Sequence, residues 1–392
     1  QELLRDVAYE TLARDERRKR HLAAARYFES LDADELAGDL ATKYQAAYRS
    51  AREGPEAYAL AIQARRSLKA AADRARSLGS TEQAEQLYEA ALELAREPSD
   101  EAELLVLAAE AAVRAGNAAR GSTWLGRAIE LYRELGDRSE MARATAALVD
   151  ATLHDGWQLE AARAIARDAV DELEDLGTDE GLAELLGQLA RIEMLRQDDF
   201  SLAIALADRA LAMAERLDLR ALVADLLITR GTALSSSGRA LEGLGAIEAG
   251  RRLAQADGLF YVEARALLNM SGPLAERDPQ AMLEASRRAL ELARQVGDRA
   301  GVSMAANNMA ESARYTGDWD EVLAVLTREI EASGGDDLER VRTALLSITA
   351  DRGDDTTELM TPLVDYIQAQ IETGEPAWQA QMDAVLGLSL IH

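Results

Sequence analysis

Residues 135–137 read Leu-Gly-Asp, and Val296-Gly297-Asp298 is nearly the same stretch further along the chain. Similar stretches, in which a helix ending is followed by Gly or a substitute and by Asp, recur about every 38–41 residues. Gly just past a helix adopts the left-handed C-cap conformation, and the Asp beside it can cap the next helix. The recurrence therefore indicates a helical repeat. The other copies are Leu176-Gly177-Thr178-Asp179, Leu217-Asp218, Asp257-Gly258 and Gly334-Gly335-Asp336.

Each period divides once more near its middle, where a second turn separates two helices. Helices of this length joined by short turns are antiparallel neighbours. A single helix pair cannot cover its own apolar stripe, so stacked copies are needed for a continuous core. We therefore predict an all-α solenoid of about eight pairs, each made of a helix A and a helix B. The internal breaks are Gly79, Gly116, Asp155-Gly156, Asp198-Asp199, Gly238, Asp278-Pro279, Gly317-Asp318 and Gly353-Asp354.

These breaks give the predicted extent of every helix pair. A further helix is expected to begin near Glu375. The predicted pairs cover residues 57–97, 101–136, 139–176, 180–217, 220–256, 259–296, 299–333 and 337–373.

Composition agrees with an all-α chain and excludes several classes of function. The sequence is 48% hydrophobic but only 4% aromatic, and it is rich in Ala, Leu, Glu and Arg, which favour helix. The net charge of −26 repels phosphate backbones and anionic lipid, which argues against nucleic acid or a membrane as partner. Cysteine is absent, which excludes disulfides, thiolate metal sites and Cys nucleophiles and suits the cytoplasm. The Ala- and Arg-rich usage is typical of a high-GC bacterial genome.

The residues that usually carry catalysis lack the necessary spacing. His21, His154 and His392 lie far apart, and we interpret His154 as a solvated residue of a turn. Gly243-Leu244-Gly245 lies in a predicted helix B and follows no strand, which argues against a dinucleotide-binding loop. The acidic residues fall mostly on outward helix faces. The sequence therefore predicts a chain that is not an enzyme and that holds no cofactor or metal.

Two windows resemble tetratricopeptide repeats. In residues 305–321, Ala310 matches the small position of helix A, Gly317 the turn, and Trp319 the aromatic residue that opens helix B. The second window matches at Ala109, Gly116, Leu125 and Ala128. The resemblance covers residues 57–373 and implies a right-handed α-solenoid, although the periods exceed the usual length. It also implies that helix A of each repeat lines a concave groove in which polar residues meet the ligand.

The first residues, from Glu2-Leu3-Leu4-Arg5-Asp6-Val7-Ala8-Tyr9 to Leu12, resemble the segment that follows the ATPase module of STAND-type signalling ATPases. Such modules occur in LuxR-like multidomain transcription activators and in class III nucleotide cyclases that carry repeat regions. A basic stretch follows, from Arg14 to His21, and the chain contains no Gly-rich loop that ends in Gly-Lys-Ser/Thr. We therefore expect residues 1–56 to link a missing ATPase module to a repeat domain at 57–392, as part of a longer protein.

The resemblance directs attention to polar residues of helix A. Adjacent Asn residues are unfavourable inside a helix, so Asn307 and Asn308 indicate a compensating contact, either with a ligand or with a neighbouring repeat. With Glu311 and Arg314 in the same repeat, and Thr232 and Ser235 two repeats earlier, they form the predicted groove site. Two functions stay open at this point: a scaffold that binds a protein, a peptide or the protein's own ATPase or output domain, and a sensor that binds a small-molecule inducer. The sequence does not fix the oligomeric state.

Overall fold

The computed structural model describes residues 11–31, 34–155, 158–275, 277–332 and 339–356. Within these ranges every regular element is helical, with 17 α-helices and two short 3-10 turns. The chain divides into two compact units, one ending at Leu219 and the other beginning at Arg220. The predicted helix near Glu375 lies outside the described residues, as does the motif at residues 2–9.

The first unit contains ten α-helices among its described residues. They are α1 (Arg14–Leu31), α2 (Ala37–Arg49), α3 (Pro55–Ser77), α4 (Thr81–Leu92), α5 (Pro98–Arg114), α6 (Ala118–Leu135), α7 (Arg138–His154), α8 (Leu159–Leu173), α9 (Glu180–Arg196) and α10 (Phe200–Arg216).

The second unit contains seven described α-helices. They are α11 (Arg220–Ser236), α12 (Ala240–Ala256), α13 (Phe260–Ala275), α14 (Pro279–Val296), α15 (Arg299–Thr316), α16 (Trp319–Ala332) and α17 (Glu339–Arg352). These bounds confirm the predicted helix pairs from 57 to 333, and α17 is helix A of the last predicted pair.

The recurring Gly-Asp stretches act as the sequence predicts. Gly136 and Gly297 end α6 and α14 in the left-handed conformation, with φ of 72° and 71°. Asp137 and Asp298, which follow them, accept hydrogen bonds from the third backbone N–H of the next helix, at 3.1 and 2.9 Å. Each stretch therefore stops one helix and caps the next, so the chain reverses within two residues.

Packing within each unit repeats from pair to pair. Helices A and B of a pair contact each other, as α9 contacts α10 and α13 contacts α14, and helix B contacts the helix A that follows. Helices A of successive repeats also meet, in the rows α5–α7–α9 and α11–α13–α15–α17. Trp124 and Trp319 are half-buried and pack against the cores. The all-α, tetratricopeptide-like fold is thereby confirmed.

Glycine explains one close helix approach in the second unit. A Cβ at Gly243 on α12 would overlap the backbone oxygen of Gly231 and the hydroxyl of Ser235, both on α11. The Gly-x-Gly stretch at 243–245 is therefore helical, and its first residue lets helices A and B of this pair touch through their backbones.

One helix A contains a proline in its interior. Pro273 lies in α13, two residues before the helix ends. Proline has no N–H, so the carbonyl of Asn269 four residues earlier receives no backbone hydrogen bond from it. The residue before Pro273 is Gly272, which is exposed and has no side chain.

Candidate binding face of the helical repeats

Polar side chains connect the helices A of the second unit. Arg265 of α13 pairs with Asp225 of α11 and donates to the Thr229 hydroxyl at 2.5 Å. Arg265 and Thr229 are largely removed from solvent, with 11% of the Arg265 side chain exposed. These contacts link α13 to α11 and engage both Nη atoms of Arg265.

The next two contacts of this series involve residues predicted for the groove. Asn308 of α15 donates a 2.9 Å hydrogen bond to the Ser271 hydroxyl of α13. Arg314 of α15 donates to Asp351 of α17 at 2.5 Å and also to the Ser347 hydroxyl. Asn308 and Arg314 thus link helix A of one repeat to those of the repeats on either side.

The side of α15 that lies between the contacts of Asn308 and Arg314 faces solvent. Here Asn307 is exposed and Glu311 half-buried, and neither side chain has a hydrogen-bonding or ion-pair partner among the described residues. Met304 and Tyr315, whose exposed fractions are 42% and 59%, lie on the same side. Positions 304, 311 and 315 fall on one stripe of a helix, because they are separated by seven and four residues.

We call this surface the α15 face. It brings together four of the predicted site residues and two residues that the sequence reasoning missed. The α15 face consists of Met304, Asn307, Asn308, Glu311, Arg314 and Tyr315.

The other two predicted residues lie on α11. The Thr232 hydroxyl donates to the carbonyl of Ile228 in its own helix at 2.8 Å. Ser235 faces α12 at the close approach to Gly243, and its hydroxyl is buried without a hydrogen-bond partner among the described residues. Neither of these described interactions involves the α15 face.

One carboxyl on the helices A of the first unit, that of Glu184, has a raised pKa. Glu184 of α9 lies 3.5 Å from the Nε of Arg143 on α7, and Arg143 also donates to Glu140 at 2.9 Å. Burial raises the pKa of Glu184 to about 7; Arg143 opposes the rise, while Glu180, Glu110 and Glu140 add to it. This carboxyl therefore changes its charge near neutral pH.

Other residues singled out in the sequence serve the fold. Arg14 donates to the carbonyl of Ala51 at 2.7 Å and Arg18 pairs with Glu56, so the basic stretch ties α1 to the helices that follow. His154 is the last residue of α7 rather than part of the turn, and its Nδ1 lies 2.8 Å from the carbonyl oxygen of Asp150.

Where residues are described, no three His, Cys, Asp or Glu side chains are grouped so as to hold a metal ion. None of the described helices has the length and apolar character needed to cross a bilayer.

Solved structures share this arrangement of helices. The chain is similar to a Rap protein complexed with the competence and sporulation factor, with a TM-score of 0.52 and 13% identity over 85% of this chain and 98% of that one. It is also similar to the Rap conjugation gene regulator of plasmid pLS20 in complex with the Phr* peptide, with a TM-score of 0.57 and 15% identity over 83% and 94%. The fold is a tetratricopeptide-like helical repeat.

A third similar structure is a Pyrococcus horikoshii signal transduction ATPase with numerous domains, a STAND protein with a tetratricopeptide repeat sensor. The TM-score is 0.51 at 13% identity, and the match covers 86% of this chain but 55% of the neighbour, so the chain spans about half of that protein. No family model matches the sequence, and no curated protein does. At these identities the likeness shows the fold alone.

The α15 face contains residues that sequence reasoning could have found. Met304 and Tyr315 share the helical register of Glu311, but the predicted groove site contained only polar residues of helix A. The signal that separates them is their position on the polar stripe of the helix, since the core stripe of α15 already contains Ala305, Met309 and Ala313.

Proposed function

We propose that this chain is a non-catalytic regulatory scaffold that binds a protein or peptide on the exposed side of its helices A. The observation that carries the proposal is the α15 face, where Asn307 and Glu311 have unused hydrogen-bonding capacity beside exposed Met304 and Tyr315. Exposed apolar groups next to polar groups without partners are typical of surfaces that bind another chain. Two of the similar structures are complexes, one with the competence and sporulation factor and one with the Phr* peptide, which supports a partner of this kind.

A small-molecule inducer is the alternative function, and the described surface favours it less. A small-molecule site needs a concave pocket in which several polar groups converge. A shallow depression on α12 is lined by Gly245, Glu248, Ala249, Arg252 and Leu253. All five come from one helix, so they cannot surround a ligand.

The context we propose is the sensor or partner-docking arm of a larger STAND-type signalling protein, such as a LuxR-like activator or a nucleotide cyclase. Support comes from the sequence resemblance of residues 2–12 and from the STAND protein among the similar structures. In such a protein, binding on helices A would bias contacts between α1 and the preceding module, because a ligand shifts an equilibrium by its differential affinity. The proposed setting is the cytoplasm.

Panning a displayed peptide library against the purified chain tests the scaffold proposal. Selected peptides should lose at least tenfold in affinity for the double variant Met304→Ala/Tyr315→Ala, because the exposed apolar contacts are removed. The matched control is Tyr27→Ala/Leu241→Ala, which removes two apolar residues that are 61% and 74% exposed elsewhere. Selected peptides that bind both double variants equally well, or a library that yields no binder, would contradict the proposal.

A further inference from the structure

Glu311 differs from the other charged residues around it. Arg314, less than one turn further along α15, is engaged by Asp351 and Ser347 of α17. Glu311 is half-buried, yet no cationic side chain among the described residues pairs with it. Asp351 and Arg314 balance each other, so the α15 face keeps one uncompensated negative charge.

The surroundings of Glu311 suit a particular kind of cation. Met304 precedes it by two turns and Tyr315 follows by one turn, and both are exposed. A tyrosine ring attracts a guanidinium or ammonium group held over its face. Asn307, one turn before Glu311, offers both a donor and an acceptor. A carboxylate between a thioether and a phenol ring can pair with a cation whose carbon stem needs apolar contact.

We infer that the α15 face binds an extended peptide in which an Arg or Lys pairs with Glu311 and an apolar side chain lies on each side of it. This inference rests on the proposed function and adds the charge and the spacing of the partner. The rise of a helix places Met304 about 10 Å and Tyr315 about 6 Å from Glu311 along the axis. An extended peptide advances about 3.3 Å per residue, so the apolar positions fall about three residues to one side of the cation and two to the other.

Charge complementarity favours this partner over an acidic or neutral one. An acidic peptide would place a like charge against Glu311, and the net charge of −26 would slow its approach. A neutral peptide would cover the Glu311 carboxylate without replacing the water that now solvates it. A basic peptide avoids both the like-charge repulsion and the uncompensated loss of water at the Glu311 carboxylate.

Synthetic peptides of the pattern Leu-Ala-Ala-X-Ala-Leu, and of the reverse order, provide the test. With X as Arg, Lys, Gln or Glu, binding to the purified chain is measured by fluorescence anisotropy. In at least one order, the Arg and Lys peptides should bind at least tenfold more tightly than the Gln peptide, and the Glu peptide least. Glu311→Gln should remove this preference, and Glu311→Lys should reverse it toward the Glu peptide.

Glu331→Gln is the matched control, because Glu331 is exposed on α16 and is not part of the α15 face. It should keep the full preference for Arg, and thermal melting should show each variant folded. Equal affinities for the four peptides, or a preference that survives Glu311→Gln, would overturn the inference even if library peptides still bind the face. If neither these peptides nor library peptides bind, the proposed function fails as well. Should a variant fail to fold, the comparison of the four peptides on the native chain decides alone.

Discussion

The side-chain amide of Asn308 on α15 donates a hydrogen bond of 2.9 Å to the hydroxyl of Ser271, which is buried on α13. Asn307, the adjacent residue, is exposed and has no partner among the described side chains. The sequence left two roles open for these asparagines, contact with a ligand and contact with a neighbouring repeat, and the two residues differ in this respect. Asn308 links two repeats, and Asn307 is available to a partner.

This difference predicts opposite effects on stability. Asn308→Ala should lower the free energy of unfolding of the second unit by about 1–3 kcal/mol, because it leaves the buried Ser271 hydroxyl without its donor. Asn307→Ala should change the same quantity by no more than about 0.5 kcal/mol. Urea denaturation followed by circular dichroism measures both. Equal losses for the two variants would show that the assignment of Asn308 as the linking residue is wrong.

A buried ion pair in the first unit gives a second prediction. Arg163 of α8 donates to Glu193 of α9 at 2.7 Å, and 3% of the Glu193 side chain is exposed. Arg163→Met should cost about 3 kcal/mol of unfolding free energy, since it leaves a buried carboxylate without its partner. The double variant Arg163→Met/Glu193→Met should recover most of this loss in the same urea titration. A double variant as unstable as the single one would argue that packing, rather than charge, holds the two helices.

Replacing two glycines of the first unit by Ala should change its stability in opposite directions. One of them, Gly181, lies in the contact between α7 and α9. A Cβ at Gly181 would overlap the Ser139 carbonyl oxygen and lie 2.8 Å from the Cβ of Ala142. Gly181→Ala should therefore destabilise the first unit by about 1–3 kcal/mol, because the helices must separate. Gly126→Ala, on α6 with nothing within 4 Å of the added carbon, should stabilise it by about 0.5–1 kcal/mol. Melting temperatures that move in the same direction would contradict this account.

The raised pKa of Glu184 predicts a dependence of stability on pH. Its carboxyl binds a proton more tightly in the folded chain, with a pKa of about 7, than in the unfolded chain, whose value is 4.5. Between these two values the native state holds the extra proton, so this group's contribution to stability falls as pH rises from 4.5 through 7. Glu184→Gln should therefore stabilise the first unit at pH 8 but not at pH 4.5. Because Glu184 is partly exposed, the gain is on the order of 1 kcal/mol.

Chemical denaturation of both proteins at pH 4.5, 6 and 8 measures this difference. If Glu184→Gln changes stability equally at all three pH values, the carboxyl does not titrate in this range.

The helix pairs could be predicted from the sequence because their boundaries are encoded locally. Gly136 supplies a positive φ and Asp137 a cap within the same three residues, and this combination needs no information from distant parts of the chain. The division at residue 219 could not be predicted in this way. Leu217-Asp218 resembles the other turns in sequence, and contacts between repeats, rather than local conformation, define the two units.

The site was harder to predict than the fold. The sequence identified polar residues of helix A, but not which of them are engaged by neighbouring repeats. Arg314, which the sequence placed in the groove site, pairs with Asp351 of the next repeat, 37 residues away. Ser235 was assigned to the groove by the same register, and its closeness to Gly243 depends on an approach between helices that spacing alone does not reveal.

Pro273 has a mechanical consequence for the repeats around it. A helix bends most readily where a rung of its backbone ladder is missing, and α13 lacks the rung at the Asn269 carbonyl. The bond from Asn308 reaches α13 at Ser271, between that carbonyl and the proline. A load applied to α15 by a bound chain would thus be delivered to the turn of its neighbour that lacks this backbone hydrogen bond, and bending of α13 would be concentrated there.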